Sequence, residues 1–306
     1  MTSSFGGFLV RRVAAAIAFV VVVSTASLVL ARLAPGDATT ELALSGADAA
    51  TIAQARARLG LDRPLAVQLG AWIGGLTHFD LGTSSEFGRP VSELVADRAA
   101  NTIRLAAVSL SIATLIGLPV GMLTGARPGG FLAVVVTPVS VALVACPPLV
   151  GALALLLLGL VTGWLSAAPE HLGLPALALA LPLAAMLERL QSQATSEALA
   201  APDLTAAAAR GVPPARLLWV HAARQSLRPV LGIYGIVIGS LFSGSLAVEF
   251  VTGWPGLGRL MYTALVGRDL FLVAGCALFG AVCLAAGNLV ADIARAVVDP
   301  RVREGA

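Results

Sequence analysis

Lysine is absent from this 306-residue chain: all twenty basic residues are arginine. That absence excludes one activity outright. A P-loop ATPase needs the lysine of G-x-x-x-x-G-K-[ST] to reach the β- and γ-phosphates, so this polypeptide is not an ATPase of that kind. Charge of either sign is scarce, at 12% of residues against 58% hydrophobic, where a soluble domain carries about 25% charged residues. With a mean hydropathy of +0.89, the chain reads as an integral membrane protein. Cysteine is limited to Cys146, Cys276 and Cys283, each in an apolar run. A disulfide framework is therefore not expected, and with no histidine inside those runs neither is a metal site; a buried thiol behaves as a small hydrophobe. His78, His171 and His221 all lie outside the apolar runs, which leaves an intramembrane serine protease without its base.

What the chain has in abundance is long apolar sequence. A helix needs about 20 such residues to cross a hydrocarbon core, and six candidates are present: Val13 to Ala31, Thr102 to Ala126, Phe131 to Leu160, Gly173 to Leu187, Gly232 to Val251 and Leu270 to Val298. Stretches such as "AAAIAFVVVVSTASLVLA" are continuously apolar, which excludes the alternating pattern of an outer-membrane barrel. The first run exceeds the roughly 7 to 15 residues of a cleavable signal core. It reads as a retained span, with Arg11 and Arg12 as a cytoplasmic anchor. The fourth run is short and carries Pro175 and Pro182, yet counting it places the five arginines of Glu188 to Arg228, together with Arg127, Arg295, Arg301 and Arg303, on the inside, as the positive-inside rule prefers.

The expected architecture is an all-α membrane protein of six transmembrane helices. Residues 1–33 hold the N-terminus and first span, 34–100 a folded external segment, 101–298 the core with five further spans, and 299–306 a cytoplasmic tail. Within the core, 188–228 is a cytoplasmic loop and 250–269 a re-entrant outer turn. In the external segment a helix is expected from Ala47 to Leu59, capped by Gly60 with Pro64 beyond it, and Trp72 and Phe79 suit the membrane interface. In the cytoplasmic loop, Asp203 is placed to cap a short alanine helix that Gly211 and Pro213-Pro214 end, and a second helix from Ala215 leads to Pro229. The small side chains of Ala206 to Ala209 suit insertion into a groove of another protein, although on spacing alone an ordinary interfacial elbow ranks slightly ahead.

The outer turn, "EFVTGWPGLGRLMYTALVGRD", breaks the chain with Gly253, Pro255, Gly256 and Gly258. Its glycines read G-x-x-G-x-G after an apolar helix, which is not a dinucleotide fingerprint. Trp254 and Tyr262 suit the interface, while Arg259, Arg268 and Asp269 are expected to face water. Within the spans, Ser240, Ser243, Ser245 and Glu249 are candidates for lining a pathway, against the alternative of close helix packing. Asn288, Asp292, Arg295 and Asp299 recur at helical spacing, with Asp292 and Arg295 a candidate i,i+3 pair.

Taken in order, "VRRV", "RLAPGD", "LGLDRPLAVQ", "DLGTS", "GRPVSEL", "NTIRLA", "AAAARGVPPARLLWVHAARQSLRPV", "FVTGWPGLGRLMYTALVGRDLFLV" and "NLVADIARAVVDPRVR" resemble, nearly end to end, the inner-membrane permease of the dipeptide, oligopeptide and nickel class of bacterial ABC importers. The resemblance implies that Thr205, Ala206, Ala207, Ala208, Ala209, Arg210 and Gly211 form the loop whose coupling helix sits in a cleft of the ATPase subunit. It implies that Gly253, Trp254, Pro255, Gly256, Gly258, Arg259, Arg268 and Asp269 form an outer gate or a contact for a binding protein. The implied partners are a second homologous permease subunit, ABC ATPase subunits, an extracytoplasmic substrate-binding protein and membrane lipid, with no nucleic acid. No cofactor is expected on this chain, since ATP and Mg belong to the partner subunits. The implied setting is the bacterial inner membrane, with both termini cytoplasmic.

Two features depart from the family pattern: Val161 to Leu172 is short, and "LERLQSQATSEAL" places Glu188 and Gln191 where arginine-rich positions are usual. Peptides are the implied substrate, with nickel, glutathione or another small solute as alternatives on the same scaffold. A secondary transporter ranks below these, because neither an internal repeat nor a buried acidic pair is evident.

Overall fold

The computed structural model describes residues 5–40, 43, 46–58, 60–163 and 171–298, and in them the protein is helical, with one isolated bridge between Thr83 and Pro90. In chain order the helices are α1 (Phe5–Leu33), α2 (Ala49–Arg58), α3 (Leu65–Leu76), α4 (Val91–Ala126), α5 (Phe131–Ala145), α6 (Pro148–Thr162), α7 (Gly173–Ala200), α8 (Pro202–Ala209), α9 (Pro214–Arg216), a π-helical turn (Leu217–Ala222), α10 (Ala223–Leu231), α11 (Tyr234–Thr252), α12 (Leu257–Val266) and α13 (Leu270–Val298). Five of them are long and apolar enough to cross a membrane, and the pair α5 and α6 makes a sixth when taken as one bent span. The tail 299–306, the side chain of Arg295 and most of the loop from Ser166 to Leu172 lie outside the described residues.

Two spans differ from their expected form. The third, read from Phe131 to Leu160 as continuous, is two helices meeting at 110°. The cause is local: Pro147 and Pro148 stand side at the junction, and each removes a backbone donor and blocks the preceding turn. The fourth was expected to stop at Leu187, but α7 continues to Ala200 and encloses Glu188 and Gln191. Pro182 stays inside this helix without ending it. In "LERLQSQATSEAL", Glu188, Gln191 and Thr195 are buried while Arg189, Gln193 and Glu197 are exposed, so its polarity marks one inward polar face of a continuing helix.

The chain divides into two compact units. One is built mainly of Arg104–Trp254, and its core gathers Leu105, Ala113, Leu179, Leu187, Val237 and Leu241 around α7. The apolar window of α7 is 61% buried where that of α11 is 44%, so α7 is the central helix of this unit. Three glycines on α4 let it approach: a Cβ on Gly117, Gly121 or Gly125 would meet the carbonyl oxygens of Ala184, Glu188 and Ser192 at 2.6, 2.5 and 2.2 Å. The four-residue spacing is the same on both helices, so backbone lies on backbone for two turns. Ser109 Oγ adds a hydrogen bond to the Ala176 carbonyl at 3.2 Å, and Thr114 pairs with the Tyr234 hydroxyl at 2.9 Å.

The other unit is built of Arg11–Ile103 and Pro255–Ala285. Its core brings Leu28, Trp72, Val91 and Leu94 together with Leu257, Leu260, Ala264 and Leu272. The segment expected to be external is thus folded, with α2 close to its expected place and Gly60 in the left-handed conformation (φ +65°) just beyond it. Trp72 is buried within the protein and stacks on Phe271 with ring centroids 6.4 Å apart, whereas Phe79 is exposed. Asp37 receives hydrogen bonds from Thr39 and from Arg56 Nε at 2.9 Å. Burial alone would raise its carboxyl, but the hydrogen bonds of Thr39 and Arg56, with the Arg56 charge, hold it below the ordinary 3.8.

Candidate functional site

The cytoplasmic loop of the sequence reading folds as an elbow braced on the central helix. After α7, Ala201 turns the chain in an extended conformation and Pro202 opens α8 at its first position, where a missing N–H costs nothing. Asp203, expected as the cap, stands instead inside the first turn and accepts a hydrogen bond from Gln225 Nε2 of α10 at 2.6 Å. Leu204 and Ala207 are buried, and Leu204 packs with Ala198 and Ala222 and with Leu217 and Leu218. Ala207 is therefore turned inward in the isolated chain. The outward face is Thr205, Ala206, Ala208, Ala209, Arg210 and Gly211, all exposed. Gly211 has φ +85°, and no atom lies within 4 Å of where its Cβ would be; glycine here serves the turn, not a close packing contact.

A buried polar network that was not anticipated from the sequence fixes this elbow. Gln191 of α7 donates to Thr195 Oγ1 at 3.0 Å and to Ser226 Oγ of α10 at 2.7 Å, and Thr124 of α4 donates to Glu188 Oε1 at 2.7 Å. Glu188 Oε2 and Gln191 Oε1 have no hydrogen-bond partner among the described residues. The signal available in the sequence was the departure of Glu188 and Gln191 from the family pattern, a clue to interior polarity. Between α9 and α10 the chain makes a π-helical turn, Leu217–Ala222, with Trp219 and Val220 outward.

The outer turn is more ordered than a re-entrant strip of irregular backbone. Gly253 takes φ +72° and ends α11, and α12 follows as a regular helix whose Leu257, Leu260 and Ala264 are buried. The Leu257 amide donates to Thr102 Oγ1 at 2.7 Å, and the Pro255 carbonyl accepts from Asn101 Nδ2 at 2.9 Å. Asp269 does not face water, since it is 1% exposed. Its carboxylate accepts from Ser84 Oγ at 2.6 Å, the Glu86 amide at 3.2 Å and the Leu272 amide at 3.1 Å, tying loop 82–90 to the start of α13. Burial overrides the surface reading because three donors replace water. Trp254 is likewise buried, in the core around α7, while Arg259, Tyr262 and Arg268 are exposed and Gly256 and Gly258 enclosed.

On α11 the four pathway candidates separate. Ser240 and Ser243 are exposed, and Ser245 and Glu249 are buried. Ser240 and Ser245 donate to carbonyls one turn back, Val237 and Phe242. Asp292 is buried; its suggested partner Arg295 has its side chain outside the described residues.

With this architecture in place, comparison with known proteins is direct. Residues 117–304 match the family model described as binding-protein-dependent transport system inner membrane component, and residues 6–106 match the N-terminal model of such membrane components. The chain belongs to that family. As a member it is a multi-pass membrane permease, and one match ends and the other begins within α4. A protein of Brucella abortus (strain 2308) named as a peptide transport system permease is 33% identical over 308 residues, covering 96% of this chain and 98% of the relative. The oligopeptide transport system permease protein AppB of Bacillus subtilis (strain 168) is 32% identical over 311 residues, again 96% and 98%. A permease of Sinorhizobium fredii (strain NBRC 101917 / NGR234), named for a peptide ABC transporter, is 30% identical over 311 residues.

Proposed function

We propose that the chain is the transmembrane permease subunit of an ATP-driven ABC importer for di- and oligopeptides. It sits in the bacterial inner membrane with both termini cytoplasmic and forms half of the translocation pathway. The observation that carries this reading is the braced elbow. A short helix presents Thr205, Ala206, Ala208, Ala209, Arg210 and Gly211 outward while Leu204 and Ala207 anchor it. A lever must be stiff at its base and smooth at its tip, and alanine and glycine give a partner's groove close access to the helix backbone. The peptide substrate rests on the names of the relatives.

Coupling then has a physical route. Closure of two ATPase subunits moves α8, and the hydrogen bonds from Gln225 to Asp203 and from Gln191 to Ser226 pass that motion to α7 and α10 as a body. A second, homologous permease completes the pathway, ATP and Mg stay in the ATPase subunits, and an extracytoplasmic binding protein delivers the peptide to the side bearing α12. The test is reconstitution. The chain alone in liposomes neither hydrolyses ATP nor accumulates peptide, and full activity returns with its partner permease, the ATPases and the binding protein. An Ala209→Cys variant cross-links to the ATPase subunit. Peptide accumulation without the ATPase, or an Ala209→Cys that reacts only from outside the cell, defeats the proposal.

A further inference from the structure

The unit built around α7 holds a cleft of about 760 Å³ beside the elbow. Its apolar walls come from Leu123 at the end of α4, Phe131 and Leu132 at the start of α5, Leu199 of α7, and Leu217 and Leu218 of the π-helical turn. One cation, Arg127, lines it, and no acidic residue does. The Arg127 guanidinium has no hydrogen bond or ion pair among the described residues. Phe131 is 86% exposed.

We propose that this cleft binds an anionic glycerophospholipid, an acyl chain lying along the leucine and phenylalanine walls and the phosphate on Arg127. The depth decides the occupant. Arg127 to Gly130 is the turn joining two apolar helices, α4 and the first half of the bent span, so it lies where hydrocarbon gives way to headgroups, and the cleft opens at that level. A lipid satisfies both parts of the site at once, since the walls are apolar and the free guanidinium offers a planar fork of donors matched to a phosphate. A net anionic headgroup is favoured because neither acidic side chains nor a second cation line the cleft to balance charge. The neighbouring surface fits the same boundary: Arg216, Trp219, Val220 and Arg224 are exposed on the run leading into α10, the cation-and-aromatic pattern of a helix lying in a membrane interface. The site touches the elbow through Pro214 and Ala215, so the lipid would stiffen the base of the lever. The inference stands on this geometry and does not depend on which solute is carried.

The test uses the full-length chain in nanodiscs of phosphatidylglycerol and phosphatidylcholine, followed by detergent extraction and native mass spectrometry of retained lipid. The wild type should retain phosphatidylglycerol over phosphatidylcholine about fivefold, the scale of one arginine near a charged headgroup. Arg127→Gln should bring the ratio close to one, Arg127→Lys should restore part of it, and Ala215→Trp, which fills the cleft, should lower retention of both lipids. Equal retention by the wild type, or a preference that survives Arg127→Gln, overturns the proposal. So does a cleft that belongs to a protein: Ala215→Cys shielded from a soluble maleimide only when the ATPase is bound, with lipid retention unchanged in Ala215→Trp.

Discussion

Substituting alanine for Gly121 adds one methyl group at the middle of the three close contacts between α4 and α7. The new Cβ would sit 2.5 Å from the Glu188 carbonyl oxygen and 2.7 Å from Gln191 Cβ, where ordinary contact begins at 3.4 Å. Neither neighbour is the free end of a long side chain, so the helices must part by about 1 Å, an overpacking that costs about 1–3 kcal/mol. Separation also stretches the buried bond from Thr124 to Glu188, now 2.7 Å, whose loss costs about 1 kcal/mol or more. Against this, alanine gains about 1 kcal/mol over glycine from helix propensity. The balance is a loss of about 1–3 kcal/mol, or a fall of about 3–10 °C in the apparent Tm of the detergent-solubilised protein. Gly280 supplies the control, since it lies in α13 with no atom within 4 Å of its Cβ position; Gly280→Ala should be neutral or slightly stabilising. The assay is a thermal-shift series monitored by size-exclusion chromatography. If Gly121→Ala is as stable as Gly280→Ala, the backbone contact between α4 and α7 does not exist as described.

Three further outcomes are expected. Asp269→Ala removes the acceptor for Ser84, the Glu86 amide and the Leu272 amide; it should destabilise its unit by about 2–3 kcal/mol and speed hydrogen exchange in loop 82–90, with α8 unaffected. Gly211→Val forces a β-branched residue into the left-handed region at φ +85°, at a cost of about 1–2 kcal/mol; membrane insertion should persist while binding of the ATPase weakens, as read by pull-down. The third concerns pH. Asp37 is held below its ordinary 3.8, so its stabilisation is complete above that value and is lost as pH falls through the lower folded-state pKa. Arg56→Gln should raise the pH at which hydrogen exchange of residues 37–40 accelerates, and an unchanged acid midpoint would show that the pairing contributes nothing.

The membrane architecture was legible because hydrocarbon imposes a length and a composition on every span, and five of the six read regions contain a single long helix. The boundaries were less legible. α4 starts at Val91, well before its apolar run, because Val91, Leu94 and Val95 enter a core of their own. α7 outlasts its apolar run because Glu188 and Gln191 find partners inside the protein, and hydropathy cannot distinguish a polar residue that leaves the membrane from one that is satisfied within it. The elbow was anticipated from Gly211 and the proline pair, but which of its alanines face outward depended on the packing of Leu204 and Ala207. Asp269 and Trp254 were misplaced for the same reason: a charged or amphipathic side chain read in isolation looks superficial, and only tertiary donors or neighbours draw it inside. The glycines of α4 went unnoticed as a set, since their meaning lies in the carbonyls opposite.

The bend between α5 and α6 creates an obligation of solvation. Each half is 15 residues long, about 22 Å of helix, too short to cross a core of about 30 Å unaided. At the corner, Pro147 and Pro148 withhold the amides that the carbonyls of Leu143 and Val144 would meet one turn on; the Cys146 amide reaches the Leu143 carbonyl at 3.3 Å, which leaves that of Val144. Hydrocarbon offers no substitute donor. Once the chain is embedded, the Val144 carbonyl therefore needs water or another polar group at this corner.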